Sequence, residues 1–242
     1  MTETSPLPVS FAAAAKSSGS DKFHQHGYHR FYPHHLDRFR HRDGSLVEIG
    51  VDEGKSLGLW RHYLPNAFLH GIDIGVEGEG DRFLIHRCDQ GDPGQLRVVA
   101  ERIGAAFAII DDGSHIPEHQ LLTFDLFFGT VLEPGGVYIL EDIEVSCWRR
   151  GVLYGYPTRY GLHDSRTLMA AMKLLTDWVN REFLSDADRS VLSSRLQDAG
   201  LSIATCRQVA SIEFAQNCVI LRKSEPWEQA FDDRPYKFSE YV

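Results

Sequence analysis

Cysteine is scarce. The 242 residues hold four, Cys88, Cys147, Cys206 and Cys218, and no two of them form a C-x-x-C pair. That argues against a disulfide framework or a paired-thiol zinc site, and fits reduced, packed thiols. Positive charge is in deficit: 25 Lys and Arg stand against 34 Asp and Glu, a formal net charge of −9. Nucleic-acid phosphates want a basic face, so no nucleic-acid partner is expected. No apolar run reaches the ~20 residues that cross a bilayer. No Lys or Arg precedes Lys16 to start a signal peptide. The expectation is a cytoplasmic protein with no membrane partner.

Two glycine-loop fingerprints are missing as well. The stretch Leu46-Val-Glu-Ile-Gly-Val-Asp-Glu-Gly-Lys-Ser56 reads as a short strand, a tight turn at Gly50 and Gly54, and a helix from Lys55 to Leu64. This is the opening unit of a doubly wound α/β domain, where glycines let the chain turn sharply and a ligand come close. The dinucleotide pattern G-x-G-x-x-G fails because Val51 and Asp52 follow Gly50. The phosphate-loop pattern is one residue short, and Asp52 and Glu53 would repel phosphate. A neutral or cationic nucleoside suits the acidic turn better; a purely structural turn is the competing reading. A P-loop-like nucleotide hydrolase and a non-catalytic α/β binding module stay open at this stage.

The length suits one domain with an appendage. Residues 1–18, rich in Pro, Ala and Ser, read as a mobile lead-in able to act as a lid. Six of the twelve histidines fall between His24 and His41; irregular spacing favours polar contacts at a site mouth over a metal tract. A helix is expected from about Tyr28 to Arg40. Further strands are expected at Ala67–Ile74, Phe83–Arg87, Ala105–Ile110 and Val137–Leu140, with a loop from Glu77 to Arg82. Helices are expected at Pro93–Ile103, from Pro117, at Ser165–Phe183 and at Asp186–Ala199. A β pair, Leu201–Val209 and Ile212–Leu221, closes the domain.

Acids mark the strand ends. Asp73 ends the second strand about 20 residues past the glycine turn, where a carboxylate accepts ribose hydroxyls. Asp89-Gln90 pairs an acid with an amide, a set able to meet an adenine edge. The fourth strand runs into Asp111-Asp112-Gly-Ser-His115, and the fifth ends Glu141-Asp142. If these two strands are neighbours, four carboxylates crowd one mouth ~5 Å across. They need a cation between them, most simply Mg²⁺ with oxygen ligands; separate solvated acids, one of them serving the cofactor, are the alternative.

Glu48, Gly50 and Gly54 are similar to the first motif of class I S-adenosylmethionine (SAM) methyltransferases. The Asp111–His115 stretch with Leu140-Glu141-Asp142, and Gly19-Ser-Asp-Lys22 with His26-Gly-Tyr28, are narrower. They resemble the Mg²⁺-dependent sugar O-methyltransferases of macrolide biosynthesis and the related cephalosporin-hydroxylase-like group, over about residues 19–222. The macrolide enzymes often carry an extra N-terminal portion that this sequence does not show. Length and N-terminal stretch are also similar to the mycobacterial methyltransferases of methylmannose oligosaccharides, which adds such an oligosaccharide to the acceptors implied.

The resemblance implies a class I methyltransferase fold: a doubly wound, mostly parallel seven-stranded sheet with a C-terminal antiparallel hairpin. It implies a lead-in over 1–41, the catalytic domain over 42–223 and a packed tail over 224–242. The cofactors implied are SAM and Mg²⁺. Asp112, Glu141 and Asp142 match the metal ligands, and His115 the general base. Glu48, Gly50, Asp73, Asp89 and Gln90 match SAM contacts, with Lys22, Tyr28, Ser56 and Asp111 as looser matches; Gly54 joins them through the turn. The acceptor expected is a small saccharide or glycoside, walled by Trp148, Arg149, Tyr154, Tyr156 and Tyr160 in a long loop over 143–164. The same loop and the tail would equally serve a homodimer contact.

Overall fold

The structure, a computed structural model, describes residues 9–153 and 156–228, leaving aside the side chains of residues 153–157. The chain opens with helix α1 (Phe11–Ser18), capped by Ser10, then the short α2 (Asp21–His24) and α3 (Tyr32–Leu36). Strand β1 (Gly44–Ile49) leads through the glycine turn into α4 (Lys55–Tyr63). Next come β2 (Ala67–Asp73), β3 (Gly78–Gly80), β4 (Phe83–Arg87) and α5 (Pro93–Ile103). Strand β5 (Ala106–Asp111), α6 (Pro117–Thr130) and β6 (Leu132–Glu141) complete the half that carries the acids. A small hairpin, β7 (Val152–Leu153) with β8 (Tyr156–Pro157), precedes α7 (Leu168–Val179), α8 (Asp186–Asp198) and α9 (Ile203–Cys206). The hairpin β9 (Val209–Ala215) and β10 (Cys218–Lys223) ends the sheet.

The main sheet has eight strands in the order β3-β4-β2-β1-β5-β6-β10-β9. The central five are parallel; β3 at one edge and β10 at the other run against them, and β9 pairs antiparallel with β10. Between β1 and β5 the connection reverses direction across the sheet, which opens a crevice at the carboxyl ends of the strands. All six residues of β5 are buried, as a strand covered on both faces requires. One face packs on α5–α8 through Leu96, Leu121, Phe124, Phe128, Met172 and Leu196. The other packs on α1, α3 and α4 through Phe11, Tyr32, Leu57 and Trp60.

Several expectations are corrected. The sheet has one strand more than the expected seven, because Gly78–Gly80 pairs with Phe83–Ile85 inside the stretch read as a loop. Residues 11–18 form a helix rather than a loose lead-in: Phe11, Ala14 and Ala15 are buried, and the Phe11 ring meets Tyr32 and Tyr63 at 5.5 and 5.2 Å. Each such edge contact adds about 0.5–1.5 kcal/mol beyond area burial. The expected helix from Tyr28 to Arg40 is a series of short turns around α3. Leu201–Val209 is no strand: Ser202 caps α9 by accepting from Thr205 N–H. Ile212–Leu221 is divided by the turn at Gln216-Asn217, where Asn217 takes φ 61°. Residues 1–8, the Tyr154 and Tyr156 side chains and the tail from residue 229 lie outside the described residues. Among the described residues no helix is long and apolar enough to cross a membrane.

Candidate active site

The glycine turn is built by a close approach of backbone to backbone. Gly50 has φ 86°, and a Cβ there would stand 1.9 Å from the Asp112 carbonyl oxygen. The Asp112 N–H in turn donates to the Ile49 carbonyl at 2.9 Å. Gly50 therefore lets the end of β5 lie against the end of β1. Gly54 has φ 75° with nothing within 4 Å of a Cβ; its need is conformational alone.

Asp73 clamps this turn. One of its oxygens accepts from Val51 and Asp52 N–H at 3.0 and 3.1 Å, the other from Gly75 and Val76 N–H at 2.8 and 3.0 Å. Burial raises its pKa, but these four backbone donors outweigh it and hold the carboxyl below its ordinary value. With the Val51 and Asp52 amides turned to Asp73, the turn is not a phosphate cradle, and a P-loop-like hydrolase is not favoured.

The remaining expected cofactor residues divide into committed and open. Glu48 is fully buried and accepts from Ser56 Oγ at 2.7 Å, while its Oε1 makes no hydrogen bond. Gln90 donates to both Asp111 oxygens at 2.8 and 3.0 Å and accepts from Ser114 N–H at 2.9 Å. Asp111 is fully buried and also accepts from Tyr138 at 3.1 Å. Burial pushes its carboxyl up to about 7 against those hydrogen bonds. Gln90 and Asp111 thus form a buried brace under the β5 end. Asp89 stays half-exposed, with Oδ1 on Gly91 N–H at 2.8 Å.

The strand-end acids meet as neighbours of β5 and β6. Lys22, fully buried, reaches in from α2 and donates to Asp112 Oδ2 at 2.7 Å and to Glu141 Oε1 and Oε2 at 2.8 Å; Glu48 Oε1 lies at 3.6 Å. Burial disfavours the ammonium, but the three carboxylates prevail and raise its pKa well above the ordinary lysine value. Glu141 also accepts from Tyr32 Oη. It is 1% exposed and engaged on both oxygens.

Asp142 is arranged differently. It takes φ 52°, and its Oδ1 accepts from Tyr28 Oη at 2.7 Å and Asn217 Nδ2 at 2.9 Å, with His26 Nδ1 at 3.1 Å. Burial works against ionisation, yet the hydrogen bonds from His26 and Tyr28 carry its pKa down to about 2. His26, bonded by Asp142 and Asp21, is raised to about 10 and so carries charge at neutral pH.

His115, 5% exposed and at φ 55°, turns its Nε2 towards Asp112 Oδ1 at 3.9 Å and Asp142 Oδ2 at 4.0 Å. Asp, Asn and His are the non-glycine residues that tolerate this backbone best. Donor atoms of Asp112, His115 and Asp142 all lie within 4.8 Å of one another. The two carboxylates at that spacing suit a hard divalent cation, and the imidazole beside them is left to take a proton. Of the three acids expected to hold a metal, Asp112 and Asp142 face this point; Glu141 faces Lys22 and Tyr32 instead. Tyr28 and Lys22, expected towards the cofactor, sit on the acids. His26 makes the polar contact expected of the N-terminal histidine group, on Asp142; Tyr32 and Asn217 were missed, and nothing local to either marked it.

No family model matches this chain. A rhamnosyl tetracenomycin-C 2′-O-methyltransferase from Streptomyces olivaceus is 34% identical over 224 residues, 88% of this chain and 54% of that protein. Demethylmacrocin O-methyltransferase from Streptomyces fradiae is 32% identical over 67% of this chain and 43% of its own length. The chain is a homologue of the sugar O-methyltransferases. This homologue spans about half the length of the curated relatives it matches. Among solved structures, the MycE methyltransferase of mycinamycin biosynthesis, in complex with Mg, SAH and mycinamycin VI, superposes with a TM-score of 0.72. It is 23% identical over 93% of this chain and 56% of that one. The likeness establishes the class I SAM-methyltransferase fold for this sugar O-methyltransferase homologue.

Proposed function

We propose that this chain is a SAM-dependent, divalent-metal-dependent O-methyltransferase acting on a sugar hydroxyl of a saccharide or glycosylated metabolite. The observation that carries the reading is the convergence of Asp112, His115 and Asp142 beside an acid-lined glycine turn. Rhamnosyl and L-olivosyl groups in the names of the relatives support the sugar, and Mg and SAH in the MycE complex support the cofactors. A methylmannose oligosaccharide stays among the acceptors to be tried.

SAM supplies a methyl group on positive sulfur, and a divalent cation lowers the pKa of a nearby hydroxyl. Asp112 and Asp142 are the carboxylates that would hold the cation in this conformation: Lys22 engages both Glu141 oxygens but only Oδ2 of Asp112, whose Oδ1 stays towards His115. Oδ1 of Asp142 is fixed by Tyr28, His26 and Asn217, which orients Oδ2 towards His115. His115 accepts the hydroxyl proton at Nε2. With SAM bound, the deprotonated sugar oxygen would take the methyl group as the carbon–sulfur bond breaks, leaving a neutral thioether. Glu48, buried beneath the glycine turn, and the half-exposed Asp89 are the acids we assign to SAM. Positioning of the three partners is the main service of the protein.

The test is transfer of labelled methyl from SAM to a panel of glycosides, with and without a strong chelator, beside calorimetry with SAM and with ATP. Chelator-sensitive transfer and SAM binding are expected. Transfer that survives the chelator ends the metal role; heat with ATP but not SAM ends the methyltransferase role.

A further inference from the structure

A groove of about 870 Å³ lies between α6, α7, α8 and the loop leading into α7. No step above uses it. One of its lining residues, Glu118, stands in the first turn of α6, three residues past His115. Three residues of chain cannot separate their Cα atoms by more than about 11 Å, so this wall of the groove stays within that reach of the candidate base. A braced rim marks that wall: Tyr160 Oη donates to Glu118, the Arg166 guanidinium lies 4.6 Å over the Tyr160 ring, and Arg166 binds Asp164 at 2.8–2.9 Å. From there the groove follows α7 from Ala170 to Asp177, about 10 Å of helix at 1.5 Å per residue.

The lining states the ligand class. Glu118, Asp177 and Asp198 carry three negative charges, and Arg166, Lys173 and Arg195 three positive ones, with His163 beside them. A balanced set favours neither an anion nor a cation. Donors and acceptors interleaved along an elongated groove suit hydroxyls, which do both. Leu121, Leu122 and Leu174 add apolar floor, which suits the C–H faces of sugar rings. The volume stands near the upper end of small-molecule sites, about 300–1,000 Å³, so it exceeds the need of one ring.

We infer that this groove binds the neutral sugar units of the acceptor that adjoin the ring being methylated, so that the enzyme takes an oligosaccharide or multiply glycosylated substrate rather than a single sugar. The inference rests on the reading of the His115 site as the place of methyl transfer.

The experiment compares methyl α-L-rhamnoside with an α-linked rhamnose trisaccharide, by hydrogen exchange and by SAM turnover. The trisaccharide should slow exchange in residues 118–122, 160–166 and 170–177; the monosaccharide should not. Lys173→Ala combined with Arg195→Ala, both on the exposed surface, should raise the trisaccharide KM about tenfold more than the monosaccharide KM, the loss expected for hydrogen bonds to charged groups. Protection of the groove without methyl transfer supports the groove and removes the activity reading. Methyl transfer to the trisaccharide without groove protection overturns the groove and leaves the activity standing. No protection by either sugar overturns the groove as a saccharide site. So does protection that appears with rising protein concentration alone, which would make the groove a contact between copies of this chain.

Discussion

Lys22 is the residue on which the acid cluster depends. Glu48, Asp112 and Glu141 surround its ammonium, and two of the three are fully buried with it. Removing one member of a buried ion pair costs about 3–5 kcal/mol, because the partner charge is left uncompensated. Lys22→Met should therefore lower the melting temperature by about 10 °C, at about 2–4 °C per kcal/mol for a chain of this size. Adding Glu141→Gln should restore part of that, since the two changes share one interaction; a double variant as unstable as the sum of the singles would refute the pairing. His115 is separable from such structural roles. His115→Gln should cut kcat about 10²-fold or more, the usual range for a general base, with SAM and Mg²⁺ affinities retained. A parallel loss of Mg²⁺ affinity by calorimetry would make His115 a ligand instead of the base.

At the scale of elements, the site exists because the ends of β1, β5 and β6 touch. Gly50 permits the first contact, and its replacement is harsher than a conformational penalty. Gly54→Ala should cost only the left-handed backbone, about 1–2 kcal/mol. Gly50→Ala must also move the Asp112 carbonyl from a 1.9 Å clash, which displaces the acid proposed to hold the cation. The expected result by thermal melts and SAM calorimetry is a modest loss for Gly54→Ala and loss of both stability and SAM binding for Gly50→Ala. Equal effects would remove the backbone approach as the reason for Gly50. The N-terminal segment is likewise an element of the site: α2 and the turn after it deliver Lys22, His26 and Tyr28 onto acids more than 110 residues away.

Across the whole molecule, acid sensitivity has a source far from the chemistry. His70 and His86 face each other across β2 and β4 at 3.2 Å, both buried. Burial, with His86 nearby, lowers His70 to about 4, below the ordinary 6.5. The unfolded chain then binds the extra proton between about pH 4 and 6.5, so stability rises with pH across that window and is lost as pH falls through it. His70→Gln should flatten the melting temperature against pH there, and an unchanged slope would place the acid sensitivity elsewhere. Part of this architecture was readable in advance. Alternating apolar runs and helix patterns pointed to an α/β sheet, and the acids closing two of the runs were to meet only if those strands were neighbours, as β5 and β6 are. The edge strand Gly78–Gly80 was not readable, because three exposed residues become a strand only through β4 beside them. Local chemistry, then, was enough for the opening strand-turn-helix unit and the acids at the strand ends, since periodicity and strand-end residues are properties of neighbours along the chain; the full sheet and the place of His115 were implied by the resemblance. The pairing of Glu141 with Lys22, the clamp of Asp73 on the turn and the anchoring of Asp142 by Tyr28, His26 and Asn217 join segments 22 to 119 residues apart. Which carboxylates face His115 and which face a lysine is settled by those long-range contacts, and they come into being only when the chain has folded.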